Sequence, residues 1–277
     1  MAVINMTDME FLLYKGLIKE KTGIDMGDDK KSLVYARLKN HLEKKGFYSF
    51  REYFEYIKRT ENADEMTFFI NKMTTNHTFF NREAAHYMFL RDTILPELRK
   101  KYGSTKDLRL WCAASSSGEE PYNIAFYIND YFDLVPGWNT EILATDISTA
   151  MLKKAIMGVY SKKSCEALTE FHIKKYLKEY DEDNYVVRDD LKKKVIFRHL
   201  NLVNDIYPFK QKLQVIFCRN VMIYFDTETR EKVLQKMYDA LEEGGYLFVS
   251  HSESLAHSNV KFEYVMSSVY RKPIKKK

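Results

Sequence analysis

The chain has 277 residues, of which 45% are hydrophobic and 30% are charged, a composition typical of globular rather than disordered proteins. At roughly 150 residues per domain, the length indicates about two domains, whose cores need no disulfide bonds. Lysine and arginine total 44 against 39 aspartate and glutamate residues, and the resulting net charge of +5 is too small for a surface that coats nucleic acid.

Cysteine usage and hydropathy favour a reduced, cytoplasmic protein. Cys112, Cys165 and Cys218 are odd in number and far apart along the chain. No charged leader precedes an apolar segment, and no apolar run approaches the roughly 18 to 20 residues that cross a bilayer, so we expect neither secretion nor membrane insertion. The histidines and cysteines form no metal-binding spacing, and no metal site is predicted.

Residues 1–75 predict a small all-α domain. Their apolar residues recur at helical spacing, as in Val34, Leu38 and Leu42. Gly23 and Gly46 are expected to end helices.

From about residue 108, short apolar segments alternate with amphipathic ones, which predicts a doubly wound α/β sheet. The predicted strands are 108–112, 141–145, 195–197, 215–218 and 246–249, and the predicted helices are 121–132, 148–157 and 227–241. Residues 262–265 and 269–271 predict a final hairpin. A second antiparallel hairpin, 176–180 with 185–188, is predicted as an insertion at about 172–194.

The turn after the first strand, residues 111–121, is the predicted ligand site, because ligands of such sheets bind at the carboxyl ends of the strands. It has one glycine, Gly118, and two acids, Glu119 and Glu120, which would repel a pyrophosphate and favour a cationic ligand. A sulfonium cofactor with an adenosine moiety fits, and Asp146, 28 residues after Gly118, can accept hydrogen bonds from ribose hydroxyls. The alternative is a tight turn with acids that merely favour a helix N-terminus.

Five segments between residues 70 and 260 carry a more specific signal. They are 74–83 (TTNHTFFNRE), 116–122 (SSGEEPY), 144–148 (ATDIS), 216–226 (IFCRNVMIYFD) and 250–255 (SHSESL). In order and spacing they resemble the motifs of the CheR family of bacterial chemoreceptor methyltransferases. The chain departs from the family where Asn81 separates Phe80 from Arg82, and where Ala114 and Ser115 replace the usual glycine or cysteine.

The resemblance implies methyl transfer from S-adenosylmethionine to receptor glutamates, with glutamate methyl esters and S-adenosylhomocysteine as products. It implies a receptor-docking all-α domain (1–75), a linker and helix that contribute to the cofactor site (76–107), and a Rossmann-like methyltransferase domain (108–277) with the small antiparallel insertion. The implied cofactor contacts are Asn76, Thr78, Arg82, Glu120, Asp146, Asn201, Leu202, Asn220 and Val221.

Within this set, Asn201 and Leu202 would flank the adenine, and Glu120 would face the cationic end of the cofactor. Arg82 and Tyr224 are the catalytic candidates, Arg82 as an orienting or clamping group and Tyr224 as a hydrogen-bond donor. The alternative interpretation of Arg82 is a charged side chain on a helix surface, and that of Tyr224 is an aromatic side chain that only packs in the core.

The expected partner is a chemoreceptor, whose methylation helices are rich in glutamate and glutamine. Lys30, Arg37, His41 and Lys44 share one side of a predicted helix, and residues 29–51 carry a local charge of +5. The inserted hairpin could bind a receptor C-terminal peptide by edge pairing, as in some relatives, and we leave this open. We expect a monomer that binds no nucleic acid.

Two other functions compete with this reading. A nucleic-acid methyltransferase acting on exocyclic amines would present an Asn-Pro-Pro-aromatic element, but all five prolines stand alone. A cofactor-binding module without activity is disfavoured by the intact Arg82, Glu120, Asp146 and Asn220.

Overall fold

The computed structural model describes residues 5–59, 63–133, 135–204 and 206–275. Four helices form the N-terminal domain, α1 (Asp8–Thr22), α2 (Lys31–Lys45), α3 (Phe50–Arg59) and α4 (Ala63–Met73). Gly23 and Gly46 end α1 and α2 with φ of 76° and 78°, a left-handed conformation that glycine adopts without a steric penalty. The predicted helical character and both helix ends are confirmed.

The core of this domain is built from one apolar stripe of each helix. Val34, Leu38 and Leu42 of α2 are fully buried and pack with residues of the other three helices, among them Tyr14 and Phe69. These stripes hold the helices together because burial of large apolar side chains is the main favourable term in folding.

A helical connection, α5 (Ala85–Phe89), a π-helical turn (Leu90–Ile94) and α6 (Leu95–Lys101), leads into the second domain. Tyr87, Leu90 and Ile94 are fully buried in the core on one face of the central sheet. The connection is therefore part of the packing of the second domain.

The second domain alternates strands and helices. Its strands are β1 (Leu110–Cys112), β2 (Ile142–Asp146), β3 (Val159–Ser161), β4 (Leu177–Glu179), β5 (Asn184–Val187), β6 (Val195–His199), β7 (Leu213–Phe217), β8 (Leu241–Phe248), β9 (Glu263–Met266) and β10 (Val269–Arg271). Its helices are α7 (Glu119–Phe132), α8 (Thr149–Met157), α9 (Glu170–Tyr176), α10 (Asp189–Lys192) and α11 (Thr227–Ala240).

Seven strands form the central sheet in the order β6-β2-β1-β7-β8-β10-β9. The first five are parallel, and β10 and β9 add an antiparallel hairpin at one edge. The chain moves outward from β1 to β2 and β6 on one side, and through β7 and β8 on the other, so the strand order reverses between β1 and β7. This confirms the predicted doubly wound sheet and places a crevice at the reversal point.

The inserted subdomain has one strand more than predicted. The hairpin of β4 and β5 is confirmed, but β3 pairs with β5 as well, in the order β3-β5-β4, so the small sheet begins before the expected limit of about 172. The three residues of β3 follow directly on α8 and Gly158, and so short a segment has no periodicity of its own to reveal a strand. Among the strands described, only β5 pairs with β4, and the outer edge of β4 faces no other strand.

Two further expectations concern the chain as a whole. All three cysteines are buried and free of disulfide bonds. Over the described ranges, no helix combines the length and the apolar character that crossing a bilayer requires.

Candidate active site

A cavity of about 810 Å³, including its open mouth, lies at the carboxyl ends of the parallel strands, where the strand order reverses. The structure brings together here all of the predicted cofactor-site and catalytic residues, namely Asn76, Thr78, Arg82, Glu120, Asp146, Asn201, Leu202, Asn220, Val221 and Tyr224.

Asp146, at the end of β2, is held in place by two backbone donors. Its Oδ2 accepts the Ser116 N–H and its Oδ1 accepts the Ser148 N–H, both at 2.8 Å. Burial raises the pKa of Asp146, and these two hydrogen bonds counteract the rise. Since a carboxylate has about four acceptor sites, Asp146 can still accept hydrogen bonds from a diol in the cavity.

The turn between β1 and α7 passes very close to neighbouring groups. Gly118 has a φ of 101°, and a Cβ there would lie 2.6 Å from the Tyr160 hydroxyl and 2.9 Å from the Ala155 Cβ. Only glycine fits this position. The Ser116 Oγ donates to the Asn76 carbonyl at 2.9 Å and so ties the turn to the segment that precedes α5.

Arg219, which follows β7, is the charged centre of the cavity wall, and the sequence analysis did not identify it. Its side chain is 0% exposed and lies 3.1 Å from both Glu83 Oε2 and Glu120 Oε2. It also donates to the Tyr87 hydroxyl at 2.9 Å and to the Arg82 carbonyl at 2.6 Å. Burial raises the pKa of Glu120, and the positive charge of Arg219 offsets part of this rise.

The electrostatic expectation for Glu119 and Glu120 is therefore only half right. Glu120 lines the cavity, but its negative charge is paired with the positive charge of Arg219. Glu119 is outside the described lining, and its Oε2 accepts a hydrogen bond from the Ser117 Oγ at 2.7 Å. Consecutive residues at the start of a helix point about 100° apart, so both carboxylates cannot face one ligand.

Arg82 and Tyr224 lie in the same cavity wall as the buried charges. Arg82 donates to the His77 carbonyl at 3.1 Å, and its guanidinium lies 5.4 Å from the centroid of the Phe79 ring. The carbonyl of Tyr224 accepts the Asp25 N–H at 2.8 Å, which fixes its backbone against the N-terminal domain. Both residues line the cavity.

Comparison with known proteins identifies the family of this chain. Residues 76–271 match the family described as "CheR methyltransferase, SAM binding domain", and residues 9–74 match "CheR methyltransferase, all-alpha domain". The chain belongs to the CheR methyltransferase family. The resemblance in the sequence is thereby confirmed, as is S-adenosylmethionine as the cofactor.

Full-length relatives extend this result. A chemotaxis protein methyltransferase of Borreliella burgdorferi is 38% identical over 272 residues, which cover 97% of this chain and 96% of the relative. A probable chemotaxis protein methyltransferase of Rhizobium etli is 37% identical and covers 92% of this chain and 96% of its own length. The chemotaxis protein methyltransferase of Escherichia coli is 35% identical, with coverages of 96% and 91%. Methyl transfer in chemotaxis, the expected function, is confirmed at the level of the family.

The cavity of this CheR methyltransferase fits S-adenosylmethionine, which when bound supplies a methyl group on a positively charged sulfur. Asp146 has acceptor sites left for ribose hydroxyls, and the buried Leu202 offers an apolar surface to a base. Asn201 also lines the cavity, but its Nδ2 donates to the Lys21 carbonyl at 2.7 Å. The Asn201 amide thus joins the two domains, in addition to any contact with the adenine.

The N-terminal domain closes one side of the cavity. Thr22 and Ile24, at the end of α1, belong to its lining, and Ile24 forms an antiparallel bridge with Phe225. Lys19 and Asp226 add an ion pair of 2.6 Å across the same junction. The all-α domain is therefore part of the cofactor site as well as the expected receptor-docking unit.

The four predicted docking residues do not form one exposed basic stripe. Arg37 donates to the Met73 carbonyl at 2.7 Å and to the Thr75 Oγ at 3.3 Å, while the half-buried His41 bonds Glu65 at 2.5 Å and stacks on Phe68. Lys30 and Lys44 are exposed. Arg37 and His41 adjoin the buried apolar stripe of α2, and residues at such a border find partners inside the fold.

Glu83, His86 and His251 lie close enough to be considered as metal ligands, with ligand atoms within 4.8 Å of one another. Arg219 lies 3.1 Å from the Glu83 carboxylate, and a divalent cation about 4 Å from a guanidinium is disfavoured by about 8 kcal/mol at an effective dielectric of about 20. Burial and the Arg219 charge lower the pKa of His86 to about 4, so the ring is neutral at pH 7. With His86 buried, Glu83 partly buried and His251 exposed, this group is better described as a charge and hydrogen-bond network beside Arg219 than as a metal centre.

The ion pairs of Arg219 with Glu83 and Glu120, here called the Arg219 network, predict how substitution of Arg219 changes the stability of the protein. Arg219→Met leaves two buried carboxylates without their countercharge and should lower the free energy of unfolding by about 3–5 kcal/mol, measured by urea denaturation. The double variant Arg219→Met/Glu120→Gln should recover part of this loss, because one of the uncompensated charges is removed. The control Arg99→Met, on the exposed face of α6, should unfold close to the wild type. An Arg219→Met midpoint equal to that of the control contradicts the network.

Proposed function

We propose that this protein transfers the methyl group of S-adenosylmethionine to glutamate side chains of chemoreceptors in the cytoplasm, producing glutamate methyl esters. The observation that carries the proposal is that Asp146, Glu120, Arg82 and Tyr224, from four separate motifs, line one cavity. The names of the relatives, chemotaxis protein methyltransferases over nearly their full lengths, support the same acceptor class.

The chemistry of a carboxylate acceptor suits this site. A glutamate side chain is already ionised at pH 7, so its oxygen can attack a methyl carbon without a general base. The residues need only align the reactants and exclude water, effects that can contribute roughly 7–11 kcal/mol to the lowering of the barrier. The guanidinium of Arg82 can orient the incoming carboxylate by a charge-assisted hydrogen bond, and the Tyr224 hydroxyl can complete its placement.

The acceptor class is tested with radiolabelled S-adenosylmethionine and three separate acceptors, receptor-containing membranes, a Glu/Gln-rich receptor helix and DNA. We expect label on the two receptor samples only, released as methanol in alkali, as a methyl ester requires. Arg82→Lys should lower kcat/KM about 100-fold, because a misplaced acceptor loses alignment, whereas Arg99→Lys should match the wild type. Alkali-stable label, or label on DNA, contradicts the proposal.

We propose that the receptor helix docks on the exposed side of α2, with Lys30 and Lys44 as its outer basic contacts. Both lysines are solvent-exposed at opposite ends of the helical segment, whereas Arg37 lies between them and bonds to the 73–75 segment that leads into the cavity. Basic groups at a rim act mainly through association with an acidic partner and are screened by salt.

Charge reversal tests this docking face. Lys30→Glu/Lys44→Glu should raise the KM for receptor several-fold at low salt, with little change in kcat or in the Kd for S-adenosylhomocysteine. Lys100→Glu/Lys106→Glu changes the net charge equally at the exposed, opposite end of the sheet and should leave the receptor KM unchanged. Equal effects of the two double variants would show that net charge, and not this face, attracts the receptor.

We further propose that the outer edge of β4 binds a receptor C-terminal peptide as an added strand. The ladder between β4 and β5 includes the Tyr180 N–H donating to the Asn184 carbonyl, and the alternation of an antiparallel ladder turns the Glu179 N–H to the outer edge. A peptide that extends the sheet would bond to this donor.

Titration of the protein with a peptide of the receptor's last residues tests whether the outer edge of β4 binds such a peptide. We expect saturable binding that Glu179→Pro weakens at least about tenfold, because proline removes the outward donor. Glu182→Pro, in the exposed turn between β4 and β5, serves as the control for introducing a proline. Binding that survives Glu179→Pro, or no binding to the wild type, removes β4 as the peptide site.

A further inference from the structure

Glu253 is a buried acid whose contacts are all to backbone of the two loops that follow β7 and β8. It is 4% exposed, and its carboxylate accepts five backbone N–H groups. The donors are Asn220 and Ser250 to Oε2, both at 2.9 Å, and Val221, Met222 and Ile223 to Oε1, at 2.9, 2.7 and 3.3 Å.

Five donors are more than the roughly four acceptor sites that a carboxylate offers, and hydrogen bonds to an ionised acceptor are the strong ones. Asn220 has a φ of 58°, a left-handed conformation that asparagine tolerates better than most residues. This conformation turns four consecutive N–H groups toward one point, where no strand or helix carbonyl could satisfy them together. Glu253 takes the place of those missing partners.

The sheet topology explains how Glu253 reaches this loop. β7 and β8 are parallel neighbours, so the loops that follow them leave the same edge of the sheet. The Cys218 N–H still donates to the Phe248 carbonyl at 2.8 Å, and beyond it the Glu253 side chain continues the connection between the two loops. The carboxylate therefore fixes the loop at the point where regular pairing ends.

The loop held in this way, between β7 and α11, carries five residues of the cavity wall, Arg219, Asn220, Val221, Tyr224 and Phe225. Glu253 itself is outside the described lining. We propose that Glu253 is a positioning residue, which sets the wall for the adenosine cofactor and the transfer site through the backbone of residues 220–223. This inference rests on the proposed function only for its effect on methyl transfer, whereas its effect on cofactor affinity and on the loop is independent of the acceptor.

The test uses Glu253→Gln in the full-length protein. Glutamine keeps the size of the side chain but replaces one acceptor oxygen with an NH₂ donor that faces backbone N–H groups. We expect hydrogen exchange, measured by mass spectrometry, to accelerate at least about tenfold in residues 220–223 and to stay unchanged in α1 to α4. The Kd for S-adenosylhomocysteine and the KM for S-adenosylmethionine should rise at least about tenfold, while the KM for receptor remains near the wild-type value.

Two further variants make the result specific. Glu263→Gln removes the same charge from an exposed position on β9 and should behave as the wild type in every measurement. Glu253→Asp keeps the charge but is one methylene shorter, so it should give intermediate exchange and affinity. If Glu253→Gln does not fold, Glu253→Asp decides: weaker binding with faster exchange limited to the loop supports the inference.

Wild-type exchange and wild-type affinity in the folded Glu253→Gln variant, or in Glu253→Asp when glutamine prevents folding, would overturn the inference. So would acceleration of exchange throughout the chain, which marks a purely structural residue. These outcomes are separate from a failure of the proposed function, which would appear as a wild-type protein that binds S-adenosylhomocysteine but transfers no methyl group to the receptor.

Discussion

The buried guanidinium of Arg219 is the constraint on which the site depends. A positive charge with a fully buried side chain persists only if opposite charges and acceptors surround it, and here Glu83 and Glu120 supply them. Glu120 is 99 residues away in sequence, and the Arg82 carbonyl, which Arg219 also contacts, is 137 residues away. One charge thereby joins the segment before α5, the start of α7 and the loop after β7, so that three distant motifs form one wall.

The sequence predicted the residues that line the cavity better than the buried residues that hold this lining in place. Eight of the ten predicted residues that line the cavity stand in four of the five motifs, because family motifs mark groups that face a ligand, and the family resemblance added Asn201 and Leu202 outside those motifs. Arg219 stands inside one of those motifs, but its role is set by partners on other elements, and sequence spacing does not show which side chains are buried together. Glu253 was missed for the same reason, since its partners are backbone groups of another loop.

The fold shows a similar division. Periodicity found the five parallel strands of the central sheet and the N-terminal helices, because each buries a regular stripe or run. It missed β3, whose three residues become a strand only by pairing with β5. It also placed Arg37 and His41 on an exposed face: spacing shows that residues share a side of a helix, but the border between the buried and exposed sides depends on the neighbouring helices.

The charges of the cavity suit the proposed reaction in a way that an acidic pocket would not. Among the described lining residues, Arg82 and Arg219 balance Glu120 and Asp146, and one further negative charge, on Glu83, lies behind Arg219. The reactants bring a positive sulfur and a negative carboxylate, and these charges diminish together as the methyl group moves. A strong field of either sign would bind one charged reactant more tightly than the transition state and would slow the transfer. The cavity wall is nearly neutral in net charge, and Arg219 fixes the positions of its charged groups. Such a wall can align both reactants without binding either of them more tightly than the transition state.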